Sequence, residues 1–409
     1  MFKINRIGVF LVPLLASCGQ ATVNESLSLE VENSSVGGEG KQVIEIQVPE
    51  KYSGWKLKNN VSEWVTKDTG EKVLLGAVAV SPGTTEQLTL VPPSESVADI
   101  TTNESGDRAH AELSVRTGGE WEGKAYKADG FSFEEVASFT SPEQLTDHSY
   151  YLRYEGPGWE SDRMGYRLYL DWRNAIDVFV KTGDAVVLPQ AGQDGYDSYH
   201  TLSEWGGDAL KVGKSLGVGA LGRNTDNGVL HFQHVASTQY KLVSNTDLRA
   251  EFDVEYTGWA LDENGAGAID VSTRYRIDAF DPTTHISVSL SKPTDDLVTG
   301  LVAHEGMSVI NTTQGDWGVI ATWGEQSILA EGDHLGLALF YRVDQVSEVA
   351  KAAHDHLVTF KPATNIDYKI LALWPRRDEH ITSAADFENY LVNKLKAFNH
   401  PVSVEQHAN

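Results

Sequence analysis

The chain has 409 residues, with 33 Lys and Arg against 58 Asp and Glu, which gives a formal charge of −25 at neutral pH. That balance leaves no basic stripe to neutralise a phosphate backbone, so nucleic acid is excluded as a partner, and an anionic ligand is admitted only where Arg and Lys gather locally. The single cysteine excludes a disulfide framework.

Lys3 and Arg6 precede an apolar run from Ile7 to Ala16, and Leu15-Ala16-Ser17-Cys18 closes it. A charged start, a short apolar stretch and small residues before a cysteine predict a signal peptide over residues 1–17, and the last four residues resemble the bacterial lipobox. Cys18 is the expected lipidation site, carrying palmitate or a related acyl chain. Gly19 after it points to an outer-membrane anchor that faces the periplasm. The apolar run is too short to span a bilayer, so this lipid is the only membrane attachment expected. Residues 18–40 read as a polar tether.

Residues 41–402 read as one large β-sandwich domain, with a small N-terminal β subdomain over 41–130 as the fallback organisation. VIEIQV alternates apolar and polar residues as a half-buried strand does, and VLLGAVAV, EQLTLV and AELSVRT follow at short spacing. Pro92 and Pro93 bar a central strand between them. After residue 228 come VLHFQHV, STQYKLV, RAEFDVEYTGW, STRYRIDAF, HISVSLS, WGVIATWGE, LGLALFYRV and YKILALW. Runs so rich in Val, Tyr, Phe, Leu and Thr leave no room for crossover helices, which excludes a parallel βαβ architecture. The expected fold is all-β, a galactose-mutarotase-like β-supersandwich with a C-terminal amphipathic helix. That helix starts at an N-cap, Ser383, with Asp386 three residues on, and Phe387, Leu391, Leu395 and Phe398 form one apolar face before Pro401. QVSEVAKAAHDHL fits a short helix and an irregular strand equally.

The densest run of titratable and aromatic side chains lies between Trp159 and Gly222. Gly217, Gly219 and Gly222 there spell G-x-G-x-x-G, but a turn and a strand follow them where a dinucleotide site needs a helix, so the glycines read as places of close sheet packing. His231 with His234, His354 with Asp355 and His356, and Asp333 with His334 lack the spacing of a zinc motif. No cofactor is expected, with a divalent metal left open. Of the indoles, Trp159 and Trp205 stand out as stacking faces for sugar rings, while the others read first as core.

YEGPGWESDRMGYRLYLDWRNAIDVFVK followed by YHTLSEWGGDALKVGKSLGVGALG, with the later RYRIDAF, LVTGLVAHEG and ILALWPRRD, resembles the bacterial family catalogued as domain of unknown function 4861. The resemblance covers about residues 24–402. It implies a part in polysaccharide-utilisation systems that degrade uronic-acid glycans such as ulvan, alginate or pectin. It also implies elimination chemistry on uronic-acid oligosaccharides, with removal of water from a terminal uronate.

The residues fit that chemistry on their own terms. Elimination begins with loss of the C5 proton, which is weakly acidic until the neighbouring carboxylate is neutralised. Arg163 or Arg167, with Arg276, would neutralise it bidentately. His200 or Tyr199 would take the proton. Trp159, Trp205, Glu160, Asp208, Lys181 and His304 complete the expected substrate-contacting set. A glycosidic leaving oxygen gives β-eliminative chain cleavage instead of dehydration, and both reactions use the same base and clamp. A glycoside hydrolase would need two carboxyl groups, for which Glu160 and Asp208 are the pair. The alternative outside enzymology is a non-catalytic, lipid-anchored protein that binds oligosaccharides.

Overall fold

The computed structural model describes residues 26–34, 40–94, 107–195 and 198–407. Alternation sets its largest layer. In the strand Arg249–Trp259, Ala250, Phe252, Val254 and Tyr256 are buried, while Glu251, Asp253 and Glu255 turn to the opposite face. Strand Ile269–Asp278 repeats the pattern, with Val271, Thr273, Tyr275 and Ile277 inward and Arg274, Arg276 and Asp278 outward. Both belong to an antiparallel nine-stranded sheet in the order Ser138–Thr140, Ser237–Asn245, Arg249–Trp259, Ile269–Asp278, Thr284–Leu290, Asn365–Leu373, Leu335–Arg342, Trp317–Gly324, Ser308–Gln314.

Two five-stranded sheets face it. One runs Gly206–Asp208, Ile176–Lys181, Gly165–Leu168, Gly158–Ser161, Ala109–Glu112, and the other Gly228–Leu230, Val218–Thr225, Leu297–Val302, Asp355–Phe360, Val346–Lys351. A bridge between Ile176 and Gly217 links the two. Trp159, Tyr166, Phe252, Trp259 and Tyr275 fill the space between the layers, each 1% exposed or less. Each such aromatic contributes roughly 4–6 kcal/mol of transfer free energy, an upper figure because an unfolded chain already hides part of that area. The architecture is the expected all-β supersandwich. The glycines behave as read: Gly217 and Gly219 adopt φ of +69° and +82°, and a Cβ would lie 1.9 Å from the Ile176 carbonyl oxygen and 2.2 Å from Ile370 Cγ2.

Helix α1 spans Ala384–Asn399, and the Ser383 hydroxyl accepts a hydrogen bond from the Asp386 N–H at 3.2 Å. Phe387, Leu391 and Leu395 lay its apolar stripe on Val319, Ala321, Phe340 and Leu371. The helix thereby covers one half of the outer face of the nine-stranded sheet, which is why strands Leu335–Arg342 and Trp317–Gly324 are buried on both faces. The other half is covered only in part, where Glu45 and Asp68 reach Arg249 and Arg274.

Three expectations change. Within the tether of residues 18–40, Leu27–Asn33 is a strand, because Leu27, Leu29 and Val31 alternate with polar residues and bury one side. It lies in a four-stranded sheet with Lys56–Leu57, Thr84–Val91 and the C-terminal Ser403–His407, beyond the expected end at residue 402, and packs on a three-stranded sheet to make a small second sandwich. QVSEVAKAAHDHL is a hairpin of strands Val346–Lys351 and Asp355–Phe360. VLHFQHV forms a strand only over Gly228–Leu230, and His231 and His234 lie beyond it. The signal peptide and Cys18 lie outside the described residues, and no helix among those described is long and apolar enough to cross a membrane.

Candidate functional site

On this partly covered half of the nine-stranded sheet, strand register aligns outward side chains into a row. Glu251 pairs with Arg276, Arg276 with His285, and His285 with Lys369 on four successive strands. Two residues along, Asp253, Arg274, Ser287 and Asp367 form a second row. Neighbouring strands stand about 4.8 Å apart, so long side chains within a row meet. The rows floor a cavity of about 490 Å³, walled by Trp317 and Arg342 on the helix side.

The cavity's charges are unevenly matched. Lys369 Nζ stands 2.6 Å and Arg276 Nη2 3.1 Å from His285 Nδ1. An imidazole nitrogen between two donors is an acceptor, which leaves the ring proton on Nε2. Burial, then the Lys369 and Arg276 charges, hold His285 well below the ordinary histidine value, so it stays neutral. Burial and then Arg276 bring the Lys369 ammonium down to about 7. Among the described residues no carboxylate lies at salt-bridge distance from Lys369, whose ammonium instead sits 5.0 Å from the Trp317 ring centre. Arg276 is loosely held, with Glu45 and Asp278 oxygens each at 3.7 Å and its Nε without a hydrogen bond. Burial raises the Glu251 carboxyl against the pull of Arg249, Arg276 and Arg274. A loosely held guanidinium, a lysine whose value is brought down and a carboxyl whose value is raised share one cavity.

The window from Trp159 to Gly222 folds differently from its expected roles. Arg167, Tyr199, His200 and Asp208 do come together, on the outer face of the sheet that contains Gly165–Leu168. There Arg167 Nη2 meets Asp177 Oδ2 and Asp208 Oδ2 at 2.7 Å each, and Nη1 donates to the Tyr199 hydroxyl at 2.9 Å. The Tyr169 hydroxyl is 2.9 Å from Nη2. Arg167 is 2% exposed, so the protein's own acids take the guanidinium proposed as a clamp for a substrate carboxylate. Burial raises the Tyr199 phenol against the pull of Arg167, which works against its expected role as the base. Burial, then the Asp177 charge, push the Asp208 carboxyl well above the ordinary aspartate value, against Arg167. Of the cluster, His200 faces solvent, 45% exposed, with Nε2 3.4 Å from Asp208 Oδ2.

The family model described as "Domain of unknown function (DUF4861)" matches residues 56–404. The chain belongs to this family. No curated protein matches the sequence. Among solved structures, an α-mannosidase from Enterococcus faecalis V583 is similar at 8% identity and a TM-score of 0.43, over 94% of this chain and 46% of that one. A glycosyl hydrolase family 38 protein from Enterococcus faecalis gives 8% identity and 0.41, over 94% and 47%. This chain thus spans less than half the length of those two. A Klebsiella pneumoniae protein described as an aldose 1-epimerase gives 8% identity and 0.28, over 60% and 83%. At TM-scores this low the likenesses decide neither activity nor substrate.

The remaining expected residues of this DUF4861 family member are dispersed. Glu160 and Lys181 are fully buried and paired with each other, and Glu160 also accepts from the Val187 and Leu188 N–H groups at 2.8 and 2.7 Å. They fix a loop, and neither Glu160 nor Asp208 is open to a glycosidic bond as the hydrolytic pair requires. Trp159 is core, its indole N–H donating to Thr284 Oγ1 at 2.8 Å, and Trp205 leans on Phe179. Arg163 binds Asp378 at 2.6 Å on a hairpin turn. His304 is half-buried, with Nε2 2.9 Å from the Lys211 carbonyl oxygen. Arg276 alone of the expected set lines the cavity. Asp147, His148 and Glu155 bring one potential metal-ligand atom each within 4.8 Å of one another, but Arg173 pairs with Asp147 at 2.8 Å and Glu155 at 2.6 Å and supplies the counter-charge. Sequence reasoning missed His285, Lys369 and Glu251. Their signal was the polar set of each alternating strand, AEFDV, HISVS and DYKIL, which carries no label for which strands are neighbours.

Proposed function

We propose that the cavity is the active site of a carbohydrate-active carbon–oxygen lyase for uronic-acid-containing oligosaccharides, which eliminates water from a terminal uronate and leaves a 4,5-unsaturated sugar. The observation that carries this reading is Lys369, brought down to about 7 beside the loosely held Arg276 in an open cavity. Arg276 neutralises the substrate carboxylate and acidifies the C5 proton. Neutral Lys369 removes that proton, the C4–oxygen bond breaks as the C4–C5 double bond forms, and Glu251 protonates the departing hydroxyl to give water. His285 holds Lys369 and Arg276 in place and takes no proton itself. Trp317 offers an apolar wall for the ring. The family resemblance supports a uronate and, among polysaccharides, ulvan. The lipobox at Cys18 supports an outer-membrane lipid anchor facing the periplasm.

The test is incubation with saturated uronate-ended oligosaccharides, followed by ultraviolet absorbance and mass. Loss of one water with new absorbance is the expected result. Absorbance with smaller fragments would assign chain cleavage, and gain of water without absorbance would assign hydrolysis. No change over a broad glycan panel would leave the glycan-binding reading and overturn the enzymatic one.

A further inference from the structure

A second groove, of about 590 Å³, opens beside the loop that carries Trp172. Its lining includes Ser237 and Thr238, which pair with Thr257 and Tyr256. Tyr256 lies five residues along its strand from Glu251, about 17 Å at the strand rise, so one sugar cannot occupy both sites.

Trp172 is 43% exposed, whereas Trp159, Trp259, Trp317, Trp323 and Trp374 are each 8% exposed or less. Presenting an indole to water forgoes its burial energy, and the chain around this one is held in position. Its carbonyl accepts from the Phe232 N–H at 3.0 Å. The Asp171 carboxylate before it is gripped by Arg173 Nε at 3.0 Å and Nη2 at 2.6 Å. Behind the groove wall, Phe232 stacks on the buried Trp259 at 3.9 Å and 9°. The backbone that carries the indole is therefore anchored, and the indole faces solvent.

The rest of the lining mixes apolar groups, Leu145, Leu170 and Val235 among them, with polar ones. Lys124 and Glu143 offset each other, and Asp171 shares Arg173 with Glu155 and Asp147, which leaves this end of the groove acidic. Ser141, Thr146 and Gln233 supply uncharged hydrogen-bonding groups, and the shielded Ser141 Oγ has no hydrogen-bond partner. An aromatic face beside hydroxyl and amide groups in a mildly acidic groove matches the amphipathic surface of an uncharged pyranose and disfavours a carboxylate.

We infer that this groove is a second glycan-binding site, which takes neutral sugar units by stacking them on Trp172. It is independent of the elimination reading, since it invokes none of the cavity residues. Isothermal titration of the full chain with neutral xylo-, gluco-, galacto- and rhamno-oligosaccharides tests it, with a thermal melt to confirm folding of each variant. At least one series binds, Trp172→Ala weakens it by roughly tenfold or more, Trp172→Phe retains part of the affinity, and Arg276→Met leaves it unchanged. The inference is overturned if no neutral oligosaccharide binds, if Trp172→Ala binds as the wild type does, or if binding requires a uronate and disappears in Arg276→Met. Failure of the elimination assay would leave these titrations unaffected, so the two readings fail separately.

Discussion

Lys369 places its ammonium nitrogen 2.6 Å from Nδ1 of His285, a residue 84 positions away in the chain and directly opposite it on the neighbouring strand. The imidazole is neutral, and burial, then the Arg276 charge, bring the lysine down with no carboxylate at salt-bridge distance among the described residues. That is the physical origin of a base that works near neutral pH.

Replacing Lys369 with Met is expected to lower kcat by about 10²–10⁴-fold, read as the rate of new ultraviolet absorbance. The same variant is expected to be more stable than wild type at pH 6, since an ammonium is no longer desolvated. The folded value of about 7 lies below the ordinary lysine value of 10.5, so the native state sheds a proton that the unfolded chain keeps between them. The cost of the lysine is full below about pH 7 and fades as pH rises towards 10. Melting temperatures of the two proteins should converge over that range. A constant difference would show that Lys369 is not the titrating group.

Replacing His200 with Ala separates the two clusters. His200 faces solvent from the Arg167 network, on a different sheet from the cavity. Turnover by His200→Ala is expected to match the wild type. Loss of activity in this variant, with Lys369→Met still active, would move the active site to the Arg167 network.

Lys181→Met strips the buried Glu160 of its counter-ion while leaving the Val187 and Leu188 N–H groups on it. Breaking a buried pair from one side costs about 3–5 kcal/mol, and the two remaining hydrogen bonds favour the lower end. Urea denaturation gives the number. A change near zero would mean that water reaches Glu160 in the native state.

Asp355 accepts from the Leu216 N–H at 2.8 Å, and burial raises its carboxyl from 3.8 to about 7. Between those values the native state holds a proton that the unfolded chain has lost, so this group lowers stability as pH rises and its cost is full above about 7. Asp355→Asn keeps the acceptor without the charge. It is expected to melt higher than wild type at pH 8 and close to it at pH 4. Equal shifts at both pH values would exclude ionisation of Asp355 as the cause.

Local chemistry made much of the fold legible. The alternation in RAEFDVEYTGW and STRYRIDAF chose the buried faces, Ser383 and Asp386 marked the start of the helix, and φ-positive Gly217 and Gly219 marked close packing. Alternation within Leu27–Asn33 was equally present but was masked by the polar Ser- and Gly-rich stretch around it. The Arg167 cluster was half legible: its members gather as their density implied, but a charged residue in a polar window carries no local sign of whether a loop will fold over it.

By itself the sequence determined which side of each strand is polar, that no parallel architecture forms, and that the last long segment is an amphipathic helix. The tertiary structure decided which polar sides meet. Register between Thr284–Leu290 and Asn365–Leu373 joins His285 to Lys369, α1 covers half of the sheet and leaves the cavity open, and the fold buries Arg167 against Asp177 and Asp208. The physical reason is range. Propensity and alternation act within a few residues, whereas a pKa shift depends on burial and on charges that only non-local strand pairing brings within reach.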